Sequence, residues 1–155
     1  IMLDDILTYA NEFFSLLSRG RYSLRRLEGS AGGNAKSGLD LEVLDGFTGA
    51  PRSIETLSGG EQFLASLSLA FGLSDVVQSY SGSVRLDSIF IDEGFGSLDQ
   101  DTLDTAMKAL SQIQKMGRTV GIISHVSELK NRIATQVQVH PSKNGGSSIT
   151  MIKDA

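Results

Sequence analysis

One segment of the chain, residues 89–99, constrains its fold more than any other. An apolar run from Ile89 to Ile91 ends in two adjacent carboxylates, Asp92 and Glu93, and a glycine-containing turn follows them. A short apolar run bounded by turn signals is typical of a buried strand. Acids at the carboxyl end of such a strand lie where open α/β sheets bind their ligands. The segment therefore predicts an α/β fold with an acidic site at a sheet edge.

Two further motifs flank this segment along the chain. Upstream, residues 58–61 (SGGE) open a helical apolar pattern, and downstream an apolar strand, residues 119–123, is followed by Ser124 and His125. The positive end of a helix dipole favours an anion, and glycines let a phosphate approach the backbone. Alternatively, Ser58 is only a helix cap and the glycines form a tight turn. The distance of this motif from the acidic segment favours the phosphate site.

In this order the motifs resemble those of an ABC-type ATPase: the signature motif at 57–61, the Walker B strand at 89–93, the D-loop at 97–99 and the H-loop at His125. Membrane transporters of this superfamily usually carry a proline after the glutamate, whereas this chain has Gly94. That version resembles the SbcC family of DNA double-strand-break repair ATPases. The resemblance implies an α/β fold, namely the C-terminal lobe of an ABC-type ATPase head with a P-loop NTPase fold, in which helices flank a mixed sheet.

The resemblance also implies roles for the signature motif and the D-loop. The signature motif would contact the γ-phosphate of an ATP molecule held by the opposite protomer; its residues are Ser58, Gly59, Gly60 and Glu61. The D-loop would cross the dimer interface; its residues are Ser97, Leu98 and Asp99. Independently of the resemblance, Asp99 is a candidate N-cap of the following helix.

The two acids and the histidine would carry the chemistry. By the resemblance, Asp92 would bind Mg²⁺ through a water molecule, and Glu93 would orient the water that attacks ATP. Phosphoryl transfer needs charge neutralisation and an aligned nucleophile, and two acids on opposite sides of a strand end could supply both. A lone histidine after a strand is usually a loop residue, but the H-loop position of His125 implies a γ-phosphate contact. Glu93 and His125 are therefore the predicted catalytic residues, with ATP and Mg²⁺ as cofactors.

Residues 29–37 resemble a Walker A loop only superficially. The motif G-x-x-x-x-G-K-[ST] would need glycine at positions 30 and 35, where the chain has Ser30 and Ala35. The residues that follow, 39–43, alternate like a strand and do not open a helix. These 155 residues therefore lack a phosphate-cradling lysine and an identifiable Q-loop. We expect an N-terminal lobe of the same protein to supply both, and ATP hydrolysis to require that lobe.

Composition narrows the class of protein. The net charge of −4 argues against a surface generally adapted to nucleic acid, there is no cysteine, and no apolar run reaches the roughly 20 residues that span a bilayer. We expect a protein of the bacterial cytoplasm without a membrane partner or signal peptide. A cluster of four arginines leaves two interpretations open, a DNA-backbone contact or a salt-bridged strand face; its members are Arg19, Arg21, Arg25 and Arg26.

The apolar pattern predicts one lobe preceded by a helix. Residues 1–19 carry an amphipathic stripe that either ends a coiled coil, as the resemblance implies, or belongs to an ordinary core helix. In the first case another lobe's helix would have to cover the stripe. Residues 20–155 form the ATPase lobe. Its predicted elements are strands at 21–28 and 39–45, an irregular connection at 46–56, a helix after Gly59, a strand at 86–91, a helix at 100–116, a strand at 118–123, a short helix at 127–132, and strands at 135–140 and 147–152 around a turn at Gly145-Gly146.

The predicted function is that of half an ATPase. Two SbcC-like heads would sandwich two ATP molecules, and their closure would control the access of an SbcD-like metal-dependent nuclease to double-stranded DNA ends. The lobe is not expected to be the nuclease, since its sequence shows no cluster of His and Asp suited to two metals. Two rival classes remain: a structural-maintenance (SMC) or RecN-type chromosome ATPase, which has no nuclease partner, and a transporter nucleotide-binding domain, against which Gly94 argues. The intact Glu93 disfavours a silent ATP-sensing scaffold.

Overall fold

The computed structural model describes residues 2–27, 41–82, 86–143 and 145–153. Within these ranges seven strands form three sheets: β1, β2 and β3 are antiparallel, β4 and β5 are parallel, and β6 and β7 form an antiparallel hairpin. The elements are α1 (Met2–Leu17), β1 (Tyr22–Arg26), β2 (Leu41–Asp45), β3 (Ala50–Ser53), α2 (Gly59–Ser81), β4 (Ser88–Asp92), α3 (Gln100–Lys115), β5 (Thr119–Ile123), α4 (Ser127–Lys130), β6 (Thr135–Pro141) and β7 (Ser147–Lys153). The predicted α/β class is confirmed.

Helix α1 packs into the core of the lobe, against α2. The rings of Phe13 and Phe71 lie 5.0 Å apart. The two helices approach so closely because position 72 is a glycine: a Cβ added at Gly72 would lie 2.5 Å from the carbonyl oxygen of Ile6. The expectation that another lobe must cover the apolar stripe is therefore wrong, since its main residues are buried within this lobe: Leu7, Ala10, Phe14 and Leu17. Continuation of α1 into a coiled coil stays a prediction.

The antiparallel sheet lies beside α1. Strands β1 and β2 pair with Leu24 opposite Val43, and both side chains are buried. The prediction of an irregular connection at 46–56 was wrong, because β3 and a 3₁₀ turn (Ile54–Thr56) lie there. Pro51 is tolerated in β3 because this strand is at the edge of the sheet, where one side needs no ladder donor. The Walker A-like segment 29–37 lies outside the described residues.

The parallel strands β4 and β5 carry the acidic motif at their carboxyl ends. Their inner face, which includes Ile91, packs on the hydrophobic core with α3. Their outer face leaves Phe90 and Ile123 exposed by 73% and 56%. The hairpin presents a second exposed apolar face, made of two cross-strand pairs: Val137 with Met151 and Val139 with Ile149. In the described part of the chain, no helix combines the length and apolar character needed to cross a membrane.

Candidate functional site

Glu93 and His125 meet at the carboxyl ends of the parallel strands. Because β4 and β5 run in the same direction, the residues after Asp92 and Ile123 emerge at the same edge. The backbone N–H of Glu93 donates to the carbonyl of Ile123 at 2.9 Å, which extends the ladder by one bond. The Glu93 carboxylate lies 3.0 Å from Nδ1 of His125. An ionised carboxylate can only accept, so Nδ1 carries the proton of this contact and Nε2 is left for a further partner.

The backbone at Glu93 and Gly94 has a left-handed conformation, with φ of 61° and 97°. A non-glycine residue rarely adopts positive φ, and such strain is typical of functional sites. At Gly94 a side chain is excluded as well, since an added Cβ would overlap the ring of Phe63 from α2. The Phe63 ring also packs edge-on against Phe95, with centroids 4.9 Å apart. Only glycine therefore fits immediately after the predicted catalytic acid.

Asp92 stands at the end of β4 with an exposed side chain. Magnesium in phosphate-binding sites takes one or two carboxylates together with phosphate oxygens and several waters. An exposed aspartate beside the Glu93–His125 pair suits a water-bridged contact of this kind. Among the described residues, no three His, Cys, Asp or Glu side chains are grouped so as to hold a metal ion.

The signature turn is the N-terminus of α2. Ser58 is its N-cap and forms a capping box: its N–H donates to Glu61 Oε2 at 2.8 Å, and its Oγ accepts from the Glu61 N–H at 3.3 Å. The amides of Gly59 and Gly60 stand in the first turn, where no helical acceptor precedes them. Ser58 and Gly59 are exposed. The turn thus presents polar hydrogens and the positive helix end to solvent, as an anion site requires.

The D-loop packs directly against this turn. A Cβ added at Gly60 would lie 3.2 Å from Leu98 Cδ2 and 3.4 Å from the Ser97 carbonyl oxygen. The loop contains a 3₁₀ turn (Phe95–Ser97), in which the Ser97 hydroxyl donates to the Gly94 carbonyl at 2.8 Å. Sequence motifs that are far apart along the chain, at 58–60 and 97–98, therefore share one surface.

Asp99 caps α3, as predicted from the sequence. Its carboxylate accepts from the Thr102 N–H at 2.9 Å and from the Thr102 hydroxyl at 2.8 Å. These two hydrogen bonds, the backbone one foremost, lower the pKa of Asp99 below its usual range. The cap anchors the last residue of the D-loop and so fixes where the loop ends.

Glu61 points into the lobe and joins a polar network. Its Oε1 accepts from the Tyr22 hydroxyl at 2.7 Å, and that hydroxyl accepts from Arg52 Nη2 at 2.9 Å. Burial raises the pKa of Glu61, but the hydrogen bonds from Ser58 and Tyr22 and the charge of Arg21 outweigh this effect and lower it overall. Sequence analysis missed Tyr22 and Arg52. The S-x-x-E pattern reveals the capping box, but nothing local to it indicates the partners from β1 and β3.

Most of the arginine cluster is satisfied within the lobe. Arg19 donates to Thr105 Oγ1 at 2.8 Å and to a carbonyl of α3. Arg21 pairs with the buried Asp45 at 3.1 Å, and Arg25 pairs with Glu42 at 2.8 Å. These contacts favour a salt-bridged strand face over a DNA-backbone contact.

Comparison with known proteins assigns the family. Residues 29–112, more than half of the chain, match the family described as "SbcC/RAD50-like, Walker B motif". The SbcC subunit of nuclease SbcCD from Vibrio cholerae is 55% identical over 145 residues, which cover 94% of this chain and 14% of that protein. The protein of the same name from Staphylococcus aureus (strain JH9) is 52% identical over 137 residues, covering 88% of this chain and 13% of that protein. The chain thus spans about one seventh of the length of these relatives.

Solved structures agree on the fold. A chain described under "Structural biochemistry of ATP-driven dimerization and DNA stimulated activation of SMC ATPases" aligns with a TM-score of 0.70 at 20% identity, covering 97% of this chain and 84% of that one. The SMC head domain from Thermotoga maritima aligns with a TM-score of 0.64 at 19% identity, covering 97% and 48%. These likenesses show an ATPase-head fold, whereas the far higher sequence identities decide the family. The chain belongs to the SbcC/RAD50-like family.

Proposed function

We propose that the chain is the C-terminal half of an ATPase head, which hydrolyses ATP when two heads close on it. The observation that carries this proposal is the contact of Glu93 with His125 at the ends of two parallel strands. A carboxylate held by an imidazole, and left accessible to solvent, suits the orientation of a water molecule for attack on a phosphoryl group. The adjoining acid, Asp92, suits a Mg²⁺ contact.

Each residue has a distinct task in this mechanism. Glu93 accepts a hydrogen bond from the attacking water and so points its lone pair at the γ-phosphate. His125 holds the Glu93 carboxylate through Nδ1 and keeps Nε2 for a phosphate oxygen. When bound, Mg²⁺ supplies positive charge that offsets the charge on the transferring phosphoryl group. The turn at Ser58 binds the γ-phosphate of nucleotide held by the second head.

The partners follow from what the lobe leaves incomplete. An N-terminal lobe of the same protein supplies the Walker A lysine and covers the exposed apolar faces of β4–β5 and of the hairpin. The much greater length of the relatives leaves room for such a lobe and for a coiled coil. By analogy with the name of those relatives, ATP-driven closure of two heads controls an SbcD-like nuclease at double-stranded DNA ends. We place the assembly in the bacterial cytoplasm.

Two substitutions in the full-length protein test the proposal. Glu93→Gln preserves size but removes the charge that orients water, so hydrolysis should fall by a hundred-fold or more while the ATP-bound dimer accumulates. Ser58→Arg fills the phosphate-facing turn, so dimer formation and hydrolysis should both be lost while ATP binding to the Walker A side persists. Light scattering with and without ATP, together with phosphate release, measures both effects.

Glu12→Gln, at an exposed position on α1, is the matched control and should behave as wild type. Hydrolysis by Glu93→Gln at the wild-type rate would remove Glu93 from the catalytic role. Normal ATP-dependent dimerisation of Ser58→Arg would show that the turn does not act on a second head.

A further inference from the structure

The ring of Tyr22 is fixed in place on both sides. It is buried, and it stacks on Phe14 with centroids 5.9 Å apart. The guanidinium groups of Arg21 and Arg52 lie over the ring, 4.6 and 5.2 Å from its centroid. Cation–π contacts of this kind hold an aromatic ring in one orientation. The position of the Tyr22 hydroxyl is therefore determined by the ring and not by its hydrogen-bond partners.

The hydroxyl has a fixed direction of donation as well. Arg52 can only donate, so the hydroxyl accepts from Arg52 and gives its own proton to Glu61 Oε1. Burial first, and then the hydrogen bond to Glu61, raise the pKa of Tyr22 to about 12. The hydroxyl therefore stays protonated throughout the pH range in which an enzyme is assayed.

This hydrogen bond divides the work of the Glu61 carboxylate between two oxygens. One oxygen is held by Tyr22, which leaves the other to accept from the Ser58 N–H at the signature turn. Two cations stand just beyond hydrogen-bond distance: Arg21 Nη1 is 3.7 Å from Oε1, and Arg52 Nη2 is 3.9 Å from Oε2. Without the hydroxyl, the carboxylate is free to turn towards them and away from Ser58.

Resting on the function proposed above, we infer that Tyr22 is a positioning residue for the signature turn. Its hydroxyl keeps Glu61 on the capping box, and the capping box keeps the amides at Ser58–Gly60 aimed at nucleotide on the second head. Tyr22 thus sets how readily ATP closes the dimer, although it touches neither ATP nor the acid that orients water.

The substitution Tyr22→Phe in the full-length protein isolates the hydroxyl, because it leaves the buried ring in place. We expect the KM for ATP, and the ATP concentration for half-maximal dimerisation, to rise about five-fold, as for the loss of one hydrogen bond. The kcat at saturating ATP should stay within about two-fold, because Glu93 and His125 are unchanged. Hydrogen–deuterium exchange of the segment 57–62 without ATP should become faster.

Tyr80→Phe is the matched control. It also removes a hydroxyl that donates to a carboxylate, that of Asp5 at 2.7 Å, but on an exposed part of α2 remote from the turn. It should change neither KM nor exchange at 57–62. If Tyr22→Phe behaves like Tyr80→Phe while Ser58→Arg still abolishes dimerisation, the positioning role is wrong and the ATPase proposal stands. If Ser58→Arg dimerises normally, the proposed function fails first. Equal losses in kcat and in ATP binding to the undimerised head would mean that Tyr22 only stabilises the fold.

Discussion

His125 acts on Glu93 through one contact, so its effect on hydrolysis can be separated from its effect on folding. The imidazole is 82% exposed, and its removal leaves no cavity in the core. We expect His125→Ala to lower the rate of ATP hydrolysis about a hundred-fold with no change in unfolding temperature. The comparison is His140→Ala, which removes an exposed imidazole from β6. Phosphate release by the full-length protein measures both, and an equal rate in the two variants would contradict the role of His125.

Residue identities in the candidate site were predictable, but their contacts were not. Asp99 as a helix cap follows from local rules, because the side chain and its Thr102 partner are three residues apart. The hydrogen bond of Tyr22 to Glu61 joins residues 39 apart, and that of Arg52 to Tyr22 joins residues 30 apart. No periodicity in the sequence encodes such distances. The left-handed backbone of Glu93 is likewise invisible in a strand pattern that ends at Asp92.

At the scale of elements, the α1–α2 contact depends on Gly72. Alanine is the better helix former by about 1 kcal/mol, but its Cβ would lie 2.5 Å from the Ile6 carbonyl and 2.7 Å from the Ala10 nitrogen. Both are backbone atoms, so α1 itself must move. We expect Gly72→Ala to destabilise the lobe by about 1–3 kcal/mol. Urea-induced unfolding of this chain measures the change. Ser66→Ala, at an exposed position on α2, should be near neutral, and equal stability of the two variants would contradict the close packing.

The elements were predicted where periodicity is strong and missed where it is weak. Helices α2 and α3 have apolar residues at helical spacing, and β4 and β5 are apolar runs, so all four were found within a few residues of their bounds. Strand β3 has only four residues, includes Pro51, and is mostly exposed, so it carries no alternation to recognise. The division of the strands into three sheets depends on partners far apart in sequence, which no local pattern reveals.

At the scale of the whole lobe, two sheets each expose an apolar face. The chain by itself should therefore self-associate, and the cause is the hairpin and β4–β5, not the stripe on α1. We expect the double variant Val139→Thr, Ile149→Thr to reduce self-association of the chain and to weaken its assembly with the N-terminal lobe. Analytical ultracentrifugation measures the first effect and co-purification the second. Thr150→Ser on the other side of the hairpin should change neither. Assembly that is unaffected by the double variant would remove the hairpin from the lobe interface.

Phe63 joins the two halves of the site into one rigid piece. Its ring fills the space above Gly94, next to the acid that serves the head's own nucleotide, and it belongs to the helix whose first turn serves the nucleotide of the other head. When one turn of α2 shifts to grip a phosphate, the loop after Glu93 must shift with it. In a dimer with two nucleotides, the two hydrolysis events would then be cooperative, and each head would receive the state of its neighbour through a single phenylalanine.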